Sequence, residues 1–417
     1  MRSQNHHFPC DTERRSQVSI SREDGLAQIR SFVRRGGRDL RLLAFTIFCY
    51  SFGWGSYFST FNNFAVERLN LQANQLGVVE SLREMPGFLM VFVAALTMRI
   101  AEPILASMAL ALVALGIGAY CMVDNVTMLI TCSLIWSVGI HCWMPLSPSM
   151  TLNLSEEGQQ GRRLGLMNSV GAAGTICGMV MVFAIARVLH FKSIFIIAGL
   201  AVALGVVAVS RISRDIGHAE KPRFVLKRKY SLYYFLTFLE GCRKQVFITF
   251  AIFVLVRQFH APLHVIAFLM ILNNVTNLIL APRVGKLIDK VGEKPVLLTC
   301  YALLIPVFIG YATIKTPLML YCLYFSDNLL YLGSIGLTTY LHKIAESADV
   351  MPSLTMGVSV NHAAAVIVPI IGGQLWSRLG YPVTFFGGAV VVAVSVLTVL
   401  RMRVALPVAE PQASLAE

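Results

Sequence analysis

Apolar runs of about 20 residues recur from Leu40 to the C-terminal region, separated by short polar loops, and this spacing constrains the fold more than any other feature. As a helix, such a run crosses about 30 Å of hydrocarbon. Lipid offers no partners for backbone N–H and C=O groups, so each run must satisfy its own, which selects a helical bundle over a barrel. With 56% hydrophobic and 14% charged residues, the chain lies outside the range of soluble domains, where about 25% are charged. The expected class is an all-α integral membrane protein with twelve transmembrane helices. The first six spans are read at 40–64, 73–97, 101–122, 126–150, 163–187 and 192–211. The second six fall at 231–256, 262–282, 295–314, 317–341, 353–377 and 382–402.

The formal charge of +13 follows alternate loops, so it reports orientation and contact with anionic lipid headgroups, not a nucleic-acid partner. Arg34, Arg35, Arg38, Arg41, Arg162, Arg163 and the Arg211 to Lys229 cluster fall on one side, with Arg283, Lys286, Lys290, Lys294, Arg401 and Arg403. The positive-inside rule then places both termini in the cytoplasm, in a bacterial inner membrane. Residues 1–39 read as a basic tail, 212–230 as a basic linker and 403–417 as a second tail, leaving bundles at 40–211 and 231–402. Ser21 and Asp24, spaced like a capping box, open a short pattern with Leu26, Ile29 and Val33 on one face, which Gly36 and Gly37 should end. It reads either as a helix on the inner leaflet or as a disordered basic tail, with residues 1–20 disordered. The nine cysteines form no C-x-x-C pair, so neither a disulfide framework nor a metal site is expected. No signal peptide, P-loop, nucleophile elbow or metal-binding His pair is present in the sequence, so no enzyme, cofactor or ATP-driven pump is expected.

Across the linker, Gly139 and Gly333, Gly165 and Gly357, Asn168 and Asn361, and Gly178 and Gly372 recur at offsets of 192 to 194, the mark of an internal duplication. Two of the spans carry six ionisable residues: Glu80, Arg83 and Glu84 in one, Glu240, Arg243 and Lys244 in the other. At about 2.5–3.5 kcal/mol each, six lipid-facing charges would cost on the order of 15–20 kcal/mol, so they must pair or face a polar cavity. Glu80 pairs with Arg83 at i, i+3 and leaves a carboxylate in excess, so Glu80 or Glu84 is expected to exchange protons. Glu240 leaves a cation in excess, so Arg243 and Lys244 are expected to bind an anionic group, with the opposite leftover charges facing each other across the cavity. Asp327, an unpaired acid in an apolar span, joins Glu80, Glu84 and Glu240 as a proton-coupling candidate. Trp54, Tyr57, Asn273, Asn277 and Tyr331 are candidates to contact substrate, while His141 and His362 read first as hydrogen-bonded interior residues. The plainer reading makes each charge cluster a self-contained network that fixes helix packing.

The segment Gly285, Lys286, Leu287, Ile288, Asp289, Lys290, Val291, Gly292, Glu293, Lys294 resembles the signature loop of the major facilitator superfamily, departing from it at Glu293. Pro369, Gly372, Gly373 and Trp376, leading to Gly380 and Phe385, resemble a frequent pattern of that family. The resemblance implies two pseudo-symmetric six-helix bundles rocking around a central site, with Gly285, Asp289, Lys290 and Gly292 forming part of a cytoplasmic latch and Arg83 a salt-bridge element. The first-half copy of the loop, at 96–102, has lost its core; the fourth span has no Arg; and Gly171, Gly174 and Gly178 lack the antiporter Pro. These departures argue against drug export. The expected function is secondary transport of a small organic, anionic solute by alternating access, coupled to protons or another ion, by a monomer. The rivals are an exporter of amphipathic compounds and a non-transporting scaffold or sensor.

Overall fold

The computed structural model describes residues 11–89, 100–156, 160–213 and 227–402, with side chains described from Gly37 onward. Regular structure among these residues is helical, with no strand. The first six helices are α1 (Asp11–Glu67), α2 (Ala73–Phe88), α3 (Glu102–Gly118), α4 (Val126–Asn153), α5 (Gln160–Ile185) and α6 (Phe191–Val209). Next, α7 runs Ser231–Val246, loosens into a π-helical turn at Phe247–Ala251 and resumes at Ile252–Arg257. It is followed by α8 (Leu263–Val291), α9 (Glu293–Thr313) and α10, which comprises Pro317–Tyr331, a 3₁₀ turn at Leu332–Ser334 and Ile335–Ile344. The last two are α11 (Ser347–Leu379) and α12 (Tyr381–Leu400). Among the described residues, nine helices are long and apolar enough to cross a membrane; α1, α2 and α7 complete the twelve. The expected span at 73–97 continues into residues outside the described ones, as does most of the linker and the 403–417 tail.

Local chemistry marks the helix ends. The Asn125 side chain accepts the Met128 N–H at 2.9 Å and caps α4. Proline opens α3, α10 and α12, where the missing N–H has no intrahelical partner to lose. Gly292, at φ 88°, turns α8 into α9 where a side chain would be strained. The expected break at Gly36 and Gly37 is absent, and α1 runs unbroken from Asp11. Two glycines cost a helix only about 2 kcal/mol, which the helical residues on both sides offset.

The helix pairings of the first half recur in the second. The pairs α1–α5, α1–α6, α3–α4, α3–α6 and α2–α4 match α7–α11, α7–α12, α9–α10, α9–α12 and α8–α10. Two of the three duplicated glycine pairs sit at these equivalent crossings, whereas Gly165 faces open space and its counterpart Gly357 faces Tyr233 on α7. A Cβ at Gly139 would meet the Ala109 carbonyl on α3, and one at Gly333 the Cys300 side chain on α9. Likewise Gly178 faces Phe52 on α1, and Gly372 faces Phe250 on α7.

The two halves meet chiefly along α2–α11 and α5–α8. Opposite the linker, at what is here termed the distal end, Asn63 Nδ2 donates to the Ala261 carbonyl at 3.0 Å and the Asn74 N–H to Ser377 Oγ at 3.2 Å. Arg257 bonds Asn70 across the same seam, and Val182, Leu263 and Ala267 pack into a buried apolar cluster there.

Candidate functional site

Three groups of polar side chains lie inside the bundle. In the first, Arg83 on α2 forms an ion pair with Glu80 one turn earlier, which helix pitch alone brings within reach. Arg83 Nη1 also donates to Tyr57 Oη at 3.3 Å, and the guanidinium lies 5.1 Å from the Phe61 ring centroid and 5.3 Å from that of Trp136. Tyr57 Oη is 3.0 Å from Tyr120 Oη, which is 2.6 Å from Ser133 Oγ. Glu80, Arg83, Tyr57 and Tyr120 are all buried. Tyr57, expected to contact substrate, is instead fully enclosed within this network. Trp54 stacks on Phe58 at 5.6 Å and meets Trp136 edge-on at 5.4 Å.

The second group belongs to the other half. Arg243 on α7 donates to Glu240 through two bonds, of 2.5 Å from Nη2 and 3.1 Å from Nε, and reaches Asp327 on α10 from Nη1 at 3.1 Å. Asp327 is therefore not the unpaired acid expected: it supplies the second counter-charge, and with Lys244 the four charges sum to zero. Both cations lie against the Tyr331 ring, its centroid 5.2 Å from the Arg243 guanidinium carbon and 5.7 Å from Lys244 Nζ. Arg243 is 1% exposed, whereas Lys244 and Tyr331 are partly accessible. Asn273 is buried and Asn277 partly so, both on α8; Asn274 reaches Met179 Sδ on α5 at 3.6 Å.

The third group joins the halves. One carboxylate oxygen of Glu84 lies 2.9 Å from His362 Nδ1 of α11 and 3.8 Å from His141 Nε2 of α4. Counting about 1.5 Å per residue from Ala73, Glu84 sits about 16 Å along α2, near mid-membrane. The opposite leftover charges do not face each other as expected, because the acid left over in the first half is taken by histidines and the cation in the second by Asp327. Sequence spacing carried no signal for the histidine pair: His141 and His362 stand in different halves and meet only through packing, with ring centroids 5.0 Å apart.

The expected latch segment forms the last two turns of α8, the Gly292 turn and the start of α9 rather than an extended loop. Asp289 and Lys290 are exposed there, with Gly285 partly so. Glu293, the departure from the signature, is buried at the start of α9 and pairs with Lys343 at the end of α10 at 2.8 Å. Glu102 repeats this in the first half, at the start of α3, accepting from Ser149 and Asn153 near the end of α4 at 2.6 and 3.2 Å. Each carboxylate also meets the positive end of its helix dipole.

A bundle of apolar helices in two matching halves, with charges paired at mid-depth, defines an integral multi-pass membrane protein of the transporter class. The family model described as Major Facilitator Superfamily matches residues 43–231 and 233–417, and the chain belongs to that family. Three solved structures show the same fold. A point mutant of the nucleoside transporter NupG aligns at TM-score 0.72 and 14% identity, over 87% of this chain and 98% of its own. A bacterial homolog of the human lysosomal transporter Spinster, inward-facing and occupied, aligns at TM-score 0.72 and 10% identity, over 87% and 95%. A POT family transporter in complex with 5-aminolevulinic acid aligns at TM-score 0.69 and 13% identity, over 87% and 95%. No curated protein matches the sequence. The family and the fold together support a secondary transporter of a small molecule.

Proposed function

We propose that this protein carries a small organic anion across the membrane by alternating access, together with a proton. The observation that carries this reading is Arg243 shared between Glu240 and Asp327, with Lys244 beside it behind Tyr331. Two carboxylates on one guanidinium make one of them dispensable. A proton on Asp327 neutralises that carboxylate and frees the Nη1 edge for an acidic group of the solute, whose remaining charge Lys244 faces. Arginine offers a planar fork for a carboxylate or phosphate, and lysine a mobile point charge. The ion link between α7 and α10 then opens only when proton and anion are both present, which couples their movement. The closed distal seam makes this the arrangement in which the path is shut on the side opposite the linker.

The sign of the pH dependence follows directly: anion binding tightens as pH falls, because the competing carboxylate is removed. In thermal-shift measurements of purified protein against carboxylates, phosphates and amphipathic cations, anions are expected to stabilise the wild type more at pH 5 than at pH 8. Asp327→Asn, a permanent mimic of the protonated acid, should give the same anion shift at both pH values, and Lys244→Ala should lose it. Stabilisation by amphipathic cations alone, or an anion shift unchanged in Lys244→Ala, defeats the proposal.

A further inference from the structure

The transport reading above leaves Glu84, His141 and His362 unused. One ligand atom from each falls within 4.8 Å of the other two. Two imidazoles and a carboxylate, with a fourth position left over, are a donor set for a divalent transition metal such as Zn²⁺. Bonds of about 2.0–2.2 Å in tetrahedral geometry separate neighbouring ligand atoms by about 3.3 Å. Of the three separations, those from Glu84 to His362, 2.9 Å, and from Glu84 to His141, 3.8 Å, lie on either side of that value, and the two imidazole nitrogens lie within 4.8 Å of each other, a gap that small ring rotations would close around an ion.

Two further features fit an ion. His141 Nδ1 lies 2.8 Å from the Ser137 carbonyl oxygen, a contact that places the ring proton on Nδ1 and turns the Nε2 lone pair toward Glu84. Metal-bound histidines are held by this kind of second hydrogen bond. Space is kept by Gly87 on α2, where a Cβ would collide with His141 Nε2 and stand 2.9 Å from His362 Cε1. The side chains are 23%, 6% and 15% exposed for Glu84, His141 and His362, enclosed yet within reach of an entering ion.

We propose that Glu84, His141 and His362 form a binding site for a divalent transition-metal ion, and that the bound ion clamps the two halves together. Glu84 and His141 belong to α2 and α4 of the first half and His362 to α11 of the second, so full coordination exists only while α11 stays against α2. The ion therefore favours the distal-closed arrangement over any in which the halves separate there. This inference does not depend on Arg243, Asp327 or the identity of the solute.

The test uses full-length, tag-free protein in detergent micelles, stripped with chelator and titrated with Co²⁺. A ligand-field absorption band should grow in with Co²⁺ and be displaced by Zn²⁺. Zn²⁺ should raise the Tm by several degrees and slow hydrogen exchange in peptides covering the distal ends of α2 and α11. His362→Gln and His141→Gln should weaken Co²⁺ binding by more than about 100-fold, beyond the range of a change outside the ligand set, and remove the effect of Zn²⁺ on exchange. Absence of the band in the wild type overturns the site, whatever the fate of the variants. Equal binding by both variants overturns it as well. Zn²⁺ binding that leaves exchange at the distal seam unchanged overturns the clamp.

Discussion

The charge clusters of the two halves begin alike and end differently. In each, a glutamate precedes an arginine by three residues and the two pair on one helix face. Arg83 stops there: among the described residues its ion-pair partner is Glu80, with Tyr57 of α1 and the Phe61 and Trp136 rings beside the guanidinium. Arg243 continues to a second carboxylate on another helix. A cation held within one helix fixes that helix in its bundle, whereas one shared between helices records their relative position and can let go. The comparison teaches that equal sequence spacing does not make equal sites, because redundancy of partners separates a rigid strut from a reversible link.

The largest expected effect tests the strut. Glu80→Ala leaves Arg83 buried without a carboxylate and should cost about 3–5 kcal/mol in chemical denaturation. Asp327→Ala leaves Arg243 its two bonds to Glu240 and should cost less, about 1–3 kcal/mol. If Asp327→Ala proves the more damaging, the contrast between the halves is wrong. Smaller again is Tyr57→Phe, which removes one bond to Arg83 and one contact to Tyr120 while keeping the ring. A loss of about 1 kcal/mol is expected there, with the anion shift intact if the first cluster is structural.

The smallest effect lies outside the membrane, where the end of the linker is tied to α11. Hydrogen bonds from Lys227 and Tyr230 hold the Asp349 carboxyl down at about 2, and the same bond from Asp349 pushes the Lys227 ammonium up. A depressed carboxyl stabilises the fold above its ordinary 3.8 and loses that contribution as pH falls through about 2. Protection of the amides at Lys227 to Tyr230, taken relative to the intrinsic exchange rate at each pH, should therefore be steady above that window and fall within it, and Asp349→Asn should show weak protection at every pH. Wild-type protection that ignores acid would show that the linker is held by other contacts.

Much of this was legible in the chain. Apolar runs and basic loops gave the helices and their order, two of the three glycine offsets marked helix crossings, and the pairings of Glu80 with Arg83 and Glu240 with Arg243 followed from pitch. Legibility failed wherever a partner came from elsewhere in the chain. Asp327 looked unpaired because Arg243 is 84 residues away, and Glu84 looked like a neighbour of Glu80 although it bonds His362, 278 residues on. Glu293 looked like a defect in a basic motif and is the buried counterpart of Glu102.

The sequence by itself determined what each helix would hold, because a rise of about 1.5 Å per residue fixes which side chains share a face before any folding partner arrives. Only the tertiary structure decided which buried charges became struts and which became links. Buried charges must find counter-charges or hydrogen-bond donors, and the packing of α2 on α11 and of α7 beside α10 chose which ones lay within reach.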